Sequence, residues 1–207
     1  MHLGDNVYPN TILRIDLTID SKWLPTVSAL LSTGFEMHVQ TGVTLHDVLC
    51  RQLGIASDYL EHRVKTVFLD SQAVDDINIA VVRDNSVVAI SAAMPGLVGA
   101  IMRRGGLYAG FRNGISYQMT DEPNEIKSGT FRLKLFNLVA KELGPHFLSQ
   151  GIHLDSYVWQ SFLTGQPEDF KQGIITARVD SLPVEPEKLF ARQWPEGTVH
   201  LTVNADR

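Results

Sequence analysis

The sequence predicts an α+β fold, and three observations carry that prediction. Segments whose apolar residues alternate at a period of two are interleaved with segments whose apolar residues recur at helical spacing. Two runs rich in Val and Ile, Val64–Leu69 and Ser86–Ala92, are joined by a short acidic link, which favours a sheet of paired strands over a mostly parallel α/β sheet. Of the 207 residues, 44% are hydrophobic and 20% charged. That is the composition of a chain that buries a core rather than one that stays disordered.

The elements follow in order. Thr11–Ile19 (TILRIDLTI) alternates Ile and Leu with polar residues, as a half-buried strand does. Trp23, Leu24, Val27, Leu30 and Leu31 fall at helical spacing, and Gly34 is a natural stop. Phe35–Gln40 alternates again. Thr44, with Asp47 three residues on, is a capping pattern for a helix striped by Leu45, Val48, Leu49 and Leu53 and closed by Gly54. Strands at Val64–Leu69 and Ser86–Ala92 come next. Leu107–Tyr117 is expected to be a glycine-interrupted strand, and Thr120–Gly129 a linker loop. Thr130 is expected to cap a helix carrying Leu133, Phe136, Val139, Ala140 and Leu143, broken at Gly144-Pro145. Phe147-Leu148 and Tyr157–Leu163 suggest short helical pieces, and Ile174–Val179 and Thr198–Val203 suggest strands. No internal repeat is evident.

One window stands apart in chemistry. Between Asp84 and Asp121 there is no acidic residue, while Gly96, Gly99, Gly105, Gly106, Gly110 and Gly114 crowd beside Arg103, Arg104 and Arg112. Glycine-rich backbone can form nests for anions, and arginine adds a fork of donors. A phosphate, a carboxylate or the acidic tail of a partner is the expected ligand. The competing reading is a tight crossover whose arginines are solvated or paired to acids elsewhere.

The order of residues 11–106 resembles the β-grasp sulfur carriers, the small subunit of molybdopterin synthase and the thiamine sulfur carrier. The matching pieces are the first strand and helix, the entry "TGVTLHDVLCRQLG" at Gly42, Thr44, Leu45, Val48 and Leu49, then "VKTVFLDSQAVDD" and "DNSVVAIS". The resemblance implies a β-grasp (ubiquitin-like) domain over 1–106, followed by an α+β domain of unrecognised type over 107–207. In that family a C-terminal diglycine is adenylated, converted to a thiocarboxylate and donates sulfur. Here the glycines lie inside the chain, at Pro95–Ala100 and Gly105-Gly106. The carrier chemistry would therefore require cleavage after Gly106.

Other function classes have less support. The charge of −5 is spread evenly along the chain, which argues against general binding of nucleic acid or an anionic membrane. The uncharged run from Asn85 to Met102 is interrupted by Pro95-Gly96 and predicts a strand and a loop rather than a membrane span. A single cysteine, Cys50, excludes a disulfide framework within the chain and a thiolate-rich metal site. With no secretion signal at the N-terminus, a cytoplasmic location is expected. The seven histidines form no metal-ligand motif, and no P-loop or nucleophile elbow occurs. Cys50 and His46 sit four residues apart, a spacing that could pair them. Asp70, Asp75, Asp76 and Asp84 coincide with turns. No catalytic residue, metal or cofactor is assigned.

The expectation is a non-enzymatic binding or adaptor protein whose sheet face and 95–112 loop contact a protein partner or a small anion, with a homodimer as one form of partner. The alternatives are the cleaved carrier and an enzyme that holds an anionic substrate between the two halves.

Overall fold

Alternation at the N-terminus makes a strand, β1 (Ile12–Asp20), in which Leu13, Ile15, Leu17 and Ile19 are buried and Arg14, Asp16 and Thr18 face away. The computed structural model describes residues 12–119 and 125–206. Thr11, His2 and the first half of the expected loop at 120–129 lie outside the described residues.

After β1 the chain is helical in three short pieces, the middle one being α1 (Leu24–Ser28). Asp20 starts them by accepting from the Lys22 N–H, and Gly34 ends them at a φ of +103°. β2 (Phe35–Thr41) and β3 (Val43–Thr44) follow. The Thr44 hydroxyl then accepts from the Asp47 N–H at 3.2 Å, as the capping pattern predicts. The helix it opens is π-wound over Asp47–Gln52 and buries Val48 and Leu49. α2 (Ser57–His62) was not expected from the sequence.

β4 (Thr66–Leu69) and β5 (Gln72–Ala73) form a hairpin, β6 (Val81–Val82) pairs with β3, and β7 (Ser86–Ser91) completes the run. α3 (Gly96–Met102) stands where a loop was expected, and a 3₁₀ helix at Ala109–Ile115 replaces the expected strand at 107–117. β8 (Lys127–Phe136) replaces the start of the expected helix. Phe131, Leu133 and Leu135 are buried at a period of two, while Arg132 and Lys134 point to the other face. α4 (Asn137–Gln150) then runs through Pro145 without breaking. A β-carbon at Gly144 would sit 2.8 Å from the Ser28 hydroxyl, so the glycine lets the helix pack closely there.

β9 (Ile152–Asp155), α5 (Ser156–Thr164), α6 (Glu168–Gln172), β10 (Ile174–Val179), β11 (Leu182–Pro183), α7 (Pro186–Ala191) and β12 (Thr198–Asp206) finish the chain. The expected strands at 174–179 and 198–203 are present, and the overall class is α+β. No described helix is long and apolar enough to cross a membrane.

Two compact units result: residues 28–144, and residues 12–27 together with 145–206. The sequence reading had divided the chain after Gly106. In the structure β8 pairs with β7 and β2, which precede that point, and β1 pairs along both edges with β10 and β12. β1 therefore pairs with neither β2 nor β7, the pairings that a β-grasp over residues 11–106 would require of its first strand.

The 28–144 unit orders its strands β2-β8-β7-β4-β5, and the other unit orders β9-β12-β1-β10-β11. Both read antiparallel, parallel, antiparallel, hairpin. The two hairpins turn on Asp70-Ser71 and Asp180-Ser181, all four at positive φ. Asp70 accepts from the Val87 N–H at 2.7 Å, and Asp180 accepts from the Arg14 N–H at 2.9 Å. Val87 thus corresponds to Arg14, and Gly34 before β2 corresponds to Gly151 before β9, at φ values of +103° and +97°. The structure contains a repeat that the sequence hides, because what recurs is turn chemistry and strand pairing rather than residue identity.

Each unit buries one sheet face under helices. In 28–144 the cover supplies Leu45, Val48, Leu49 and Leu60; in the other unit it supplies Trp159, Leu163 and Phe170. Tyr59 and Arg63 reach Glu142 on α4, and the Arg63 guanidinium holds that carboxyl down to about 2. Burial, with Glu142 beside it, pushes the Tyr59 phenol up.

Candidate functional site

The acid-free glycine and arginine window becomes α3, a turn at 103–106 and the 3₁₀ helix, all within the 28–144 unit. Its glycines have separate jobs. Gly96 adopts a φ of +73° as the chain enters α3. Gly99 is buried, and a β-carbon there would collide with the Met94 carbonyl, so only glycine lets α3 lie this close to the strand-exit loop. Gly105, at φ +57°, donates its N–H to the Asp75 carboxylate at 3.0 Å, and the Gly106 N–H reaches the Arg103 carbonyl at 3.1 Å. The diglycine is therefore a pinned internal turn.

The three arginines divide as sharply. Arg112 is 2% exposed. It donates to the Ile101 carbonyl at 2.8 Å, the Ser116 hydroxyl at 3.2 Å, the Asp75 carboxylate at 2.6 Å and the Arg103 carbonyl at 3.4 Å. Its charge is paired with Asp75 and four of its five N–H donors are spent, so, buried as it is, it organises the loop rather than facing a ligand. Arg104 is half-buried and donates from Nε and Nη1 to the Asp75 and Leu60 carbonyls at 3.1 and 3.2 Å. Burial lowers its pKa, against the pull of Asp75. Arg103 is exposed, and its guanidinium has no hydrogen-bond or ion-pair partner among the described residues.

Arg103 opens onto a cavity of about 420 Å³ lined also by Lys65, Thr66, Met94, Gly96, Gly99 and Ala100, with no acidic side chain. The Lys65 ammonium donates to the Glu61 carbonyl at 3.3 Å, which leaves donors free. Thr66 is 1% exposed, and its hydroxyl has no partner among the described residues. Leaving a buried hydroxyl unpaired costs about 1–3 kcal/mol, so the group is a ready hydrogen-bond donor. Lys65 and Thr66 were missed by the sequence reading, because the absence of a partner is a three-dimensional property.

A second hollow, about 530 Å³, meets the first at Thr66 and Met94 and runs over the outer face of β4, β7 and β8. Val87, Ala89, Phe68, Phe136 and the Lys134 stem line it. At its end Asn137, held at φ +52°, donates to the Ser91 hydroxyl at 3.3 Å and the Ala93 carbonyl at 3.1 Å. That bond fixes the loop leading into Met94. A signal for this face did exist in the sequence: consecutive apolar residues in "TVFL" and "SVVAI" mark strands apolar on both faces.

A third hollow, about 630 Å³, lies on the other side of Arg103 and includes Glu61 and Asp75, which makes it less suited to an anion. Another of about 630 Å³ beside β2 is polar, with Gln52 bonded to the Gln40 backbone and Asp84 to the Thr130 N–H.

The remaining candidates resolve structurally. Cys50 and His46 both turn to Ser57, and burial pushes the Cys50 thiol up, opposite to what a nucleophilic thiolate needs. Asp70 holds a turn, Asp75 holds Arg112, Asp76 accepts from the Asn78 N–H, and Asp84 accepts from the Thr130 N–H. Among the described residues no group of three His, Cys, Asp or Glu side chains could hold a metal ion.

The chain matches no protein-family model, no curated protein and no solved structure.

Proposed function

We propose that the protein is a non-enzymatic binding module that receives a small anion between Lys65 and Arg103, under α3. The observation that carries this is the division among the arginines. Arg112 and Arg104 are tied to the loop's own carbonyls, and Arg103 stands without a partner among the described residues, at a cavity lined by no acidic side chain and beside a buried, unpaired hydroxyl. A pocket of two cations and a hydroxyl is a binding device, and among the described residues no carboxylate, histidine or cysteine lines it. The strand pattern of residues 35–136 also supports a β-grasp reading in permuted order, with β8 in the place of the first strand.

Titration calorimetry with acetate and with inorganic phosphate at low ionic strength is the test. Binding that weakens with added salt is expected, and it should fall about tenfold or more in the Lys65→Ala/Arg103→Ala double variant, since hydrogen bonds to charged groups contribute about 1.5–3 kcal/mol. No binding at tens of millimolar, or an unchanged affinity in the double variant, overturns the proposal.

A second reading, contact with a protein partner, is favoured by the exposed apolar residues that follow α3. Leu107 is 91% and Phe111 80% exposed. The partner we test is a second copy of the chain. Sedimentation velocity should show association rising with concentration, lost in Leu107→Ser/Phe111→Ser. A monomer at all concentrations removes this reading.

A further inference from the structure

We infer that the anion carries an unbranched aliphatic chain, which lies in the trough on the outer face of β4, β7 and β8; this rests on the anion site proposed above.

The trough is built by register. Val87, Ala89 and Ser91 are successive outward residues of β7 and form a floor of small side chains. Across from Ala89 stand Phe68 on β4 and Lys134 on β8; across from Ser91 stand Thr66 and Phe136. Large side chains on both neighbouring strands therefore wall a floor one strand wide. Strands lie about 4.8 Å apart, so the walls on β4 and β8 stand about 9.6 Å apart between centres, and the thickness of the wall side chains leaves between them about the width of one alkyl chain. From Ser91 to Val87 the floor runs about 13 Å, the length of a chain of about ten carbons.

Polarity is graded along the same line. The trough is apolar at Val87, Ala89 and Phe68, and where it meets the cation pocket the Thr66 hydroxyl is buried and unpaired. Beyond Thr66 come Lys65 and Arg103. A carboxylate placed there would accept from Thr66 and meet two cations, while its chain covered the apolar floor.

The repeat supplies an internal control. The positions of the other unit that correspond to Val87, Ala89 and Ser91 are Arg14, Asp16 and Thr18, and the wall residue Phe68 corresponds to Arg178. The same backbone thus carries a charged outer face in one unit and an apolar trough in the other. Pairing of the strands does not dictate the trough.

The experiment is calorimetry on the full chain with sodium alkanoates from acetate through decanoate to tetradecanoate, below their micelle concentrations. Affinity is expected to rise about fourfold per added methylene, the value of burying one CH₂, and to level off near ten carbons. Ala89→Trp, which fills the floor, should abolish the length dependence and leave acetate binding unchanged. Thr66→Val should weaken every member of the series while the melting temperature holds or rises. If acetate binds but decanoate binds no better, the chain inference is overturned and the anion site stands. If neither binds, both are overturned. Binding to vesicles of anionic phospholipid without binding to monomeric decanoate also overturns it. The wild-type length series decides the matter even if a variant fails to fold.

Discussion

Replacing Asp75 by alanine is expected to lower the unfolding free energy by about 4 kcal/mol, more than any change to the ligand pocket. Asp75 is the hub of the segment after α3. Its carboxylate accepts from the Arg112 guanidinium and the Gly105 N–H, and its backbone carbonyl accepts from Arg104. The side chain of Arg112 is 1% exposed and that of Asp75 46%. Removing the aspartate therefore strands a buried positive charge, the situation in which breaking an ion pair costs about 3–5 kcal/mol. Removing the arginine strands only a carboxylate that water already reaches. Arg112→Met should accordingly cost about 2 kcal/mol, chiefly the unpaired carbonyl of Ile101, since the Arg103 carbonyl keeps the Gly106 N–H. Urea denaturation gives the ranking, and hydrogen exchange should show 101–116 opening in both variants. If Arg112→Met proves costlier than Asp75→Ala, the asymmetry argued from burial is wrong.

Trp159→Ala should cost about 4 kcal/mol, and Trp159→Phe far less than half of that. Trp159 is fully buried, stacked on Phe162 at 5.7 Å between ring centroids and edge-on to Trp194 at 6.0 Å. Truncating such a ring to alanine removes its contacts and leaves a cavity, at about 3–5 kcal/mol. The indole N–H, however, has no partner. Phenylalanine keeps most of the stacking and deletes a donor whose burial is itself a penalty of about 1–3 kcal/mol. Far-UV circular dichroism in urea separates the two, because it does not rely on the tryptophan being replaced. Equal costs for both variants would mean that the indole nitrogen has a partner after all.

Much of the fold was legible where apolar residues keep a single period. β1, β2, β4, β7, β10 and β12 follow from alternation or β-branched runs, and the Thr44 cap follows from side-chain chemistry. The misreadings fall where two periods overlap. In "FRLKLFNLVAKEL" the alternation of Phe131, Leu133 and Leu135 runs directly into the helical stripe of Val139 and Ala140. The change of period occurs at Asn137, whose left-handed φ of +52° is one that asparagine tolerates, but a single Asn between two apolar runs is too weak a marker to place the break. The pairing of β1 with β12 was beyond reach for another reason: nothing local in either strand names the other.

The candidate site was half legible. An acid-free stretch rich in glycine and arginine marked this loop, and of its three arginines the structure leaves Arg103 exposed. The part assigned to Arg112 reversed, since burial turned it from a candidate contact into the loop's internal brace. Sequence shows how many charges a segment carries, but not which of them the fold spends on itself. Thr66 shows the converse, an ordinary strand residue given meaning by a hydroxyl left without a partner.

The placement of β1 sets an order of events during synthesis. Residues 28–144 are contiguous, so that unit has all its strands once β8 has left the ribosome. Among the described strands β1 is made first, yet its parallel partner β12 is made last, from Thr198 onward. Contacts so distant in sequence close late and slowly. Through most of translation the nascent chain therefore carries an N-terminal strand with both edges unpaired, the type of segment that chaperones shield and that aggregation recruits. A chain released early, before β12, would have one unit complete and its oldest strand without its parallel neighbour.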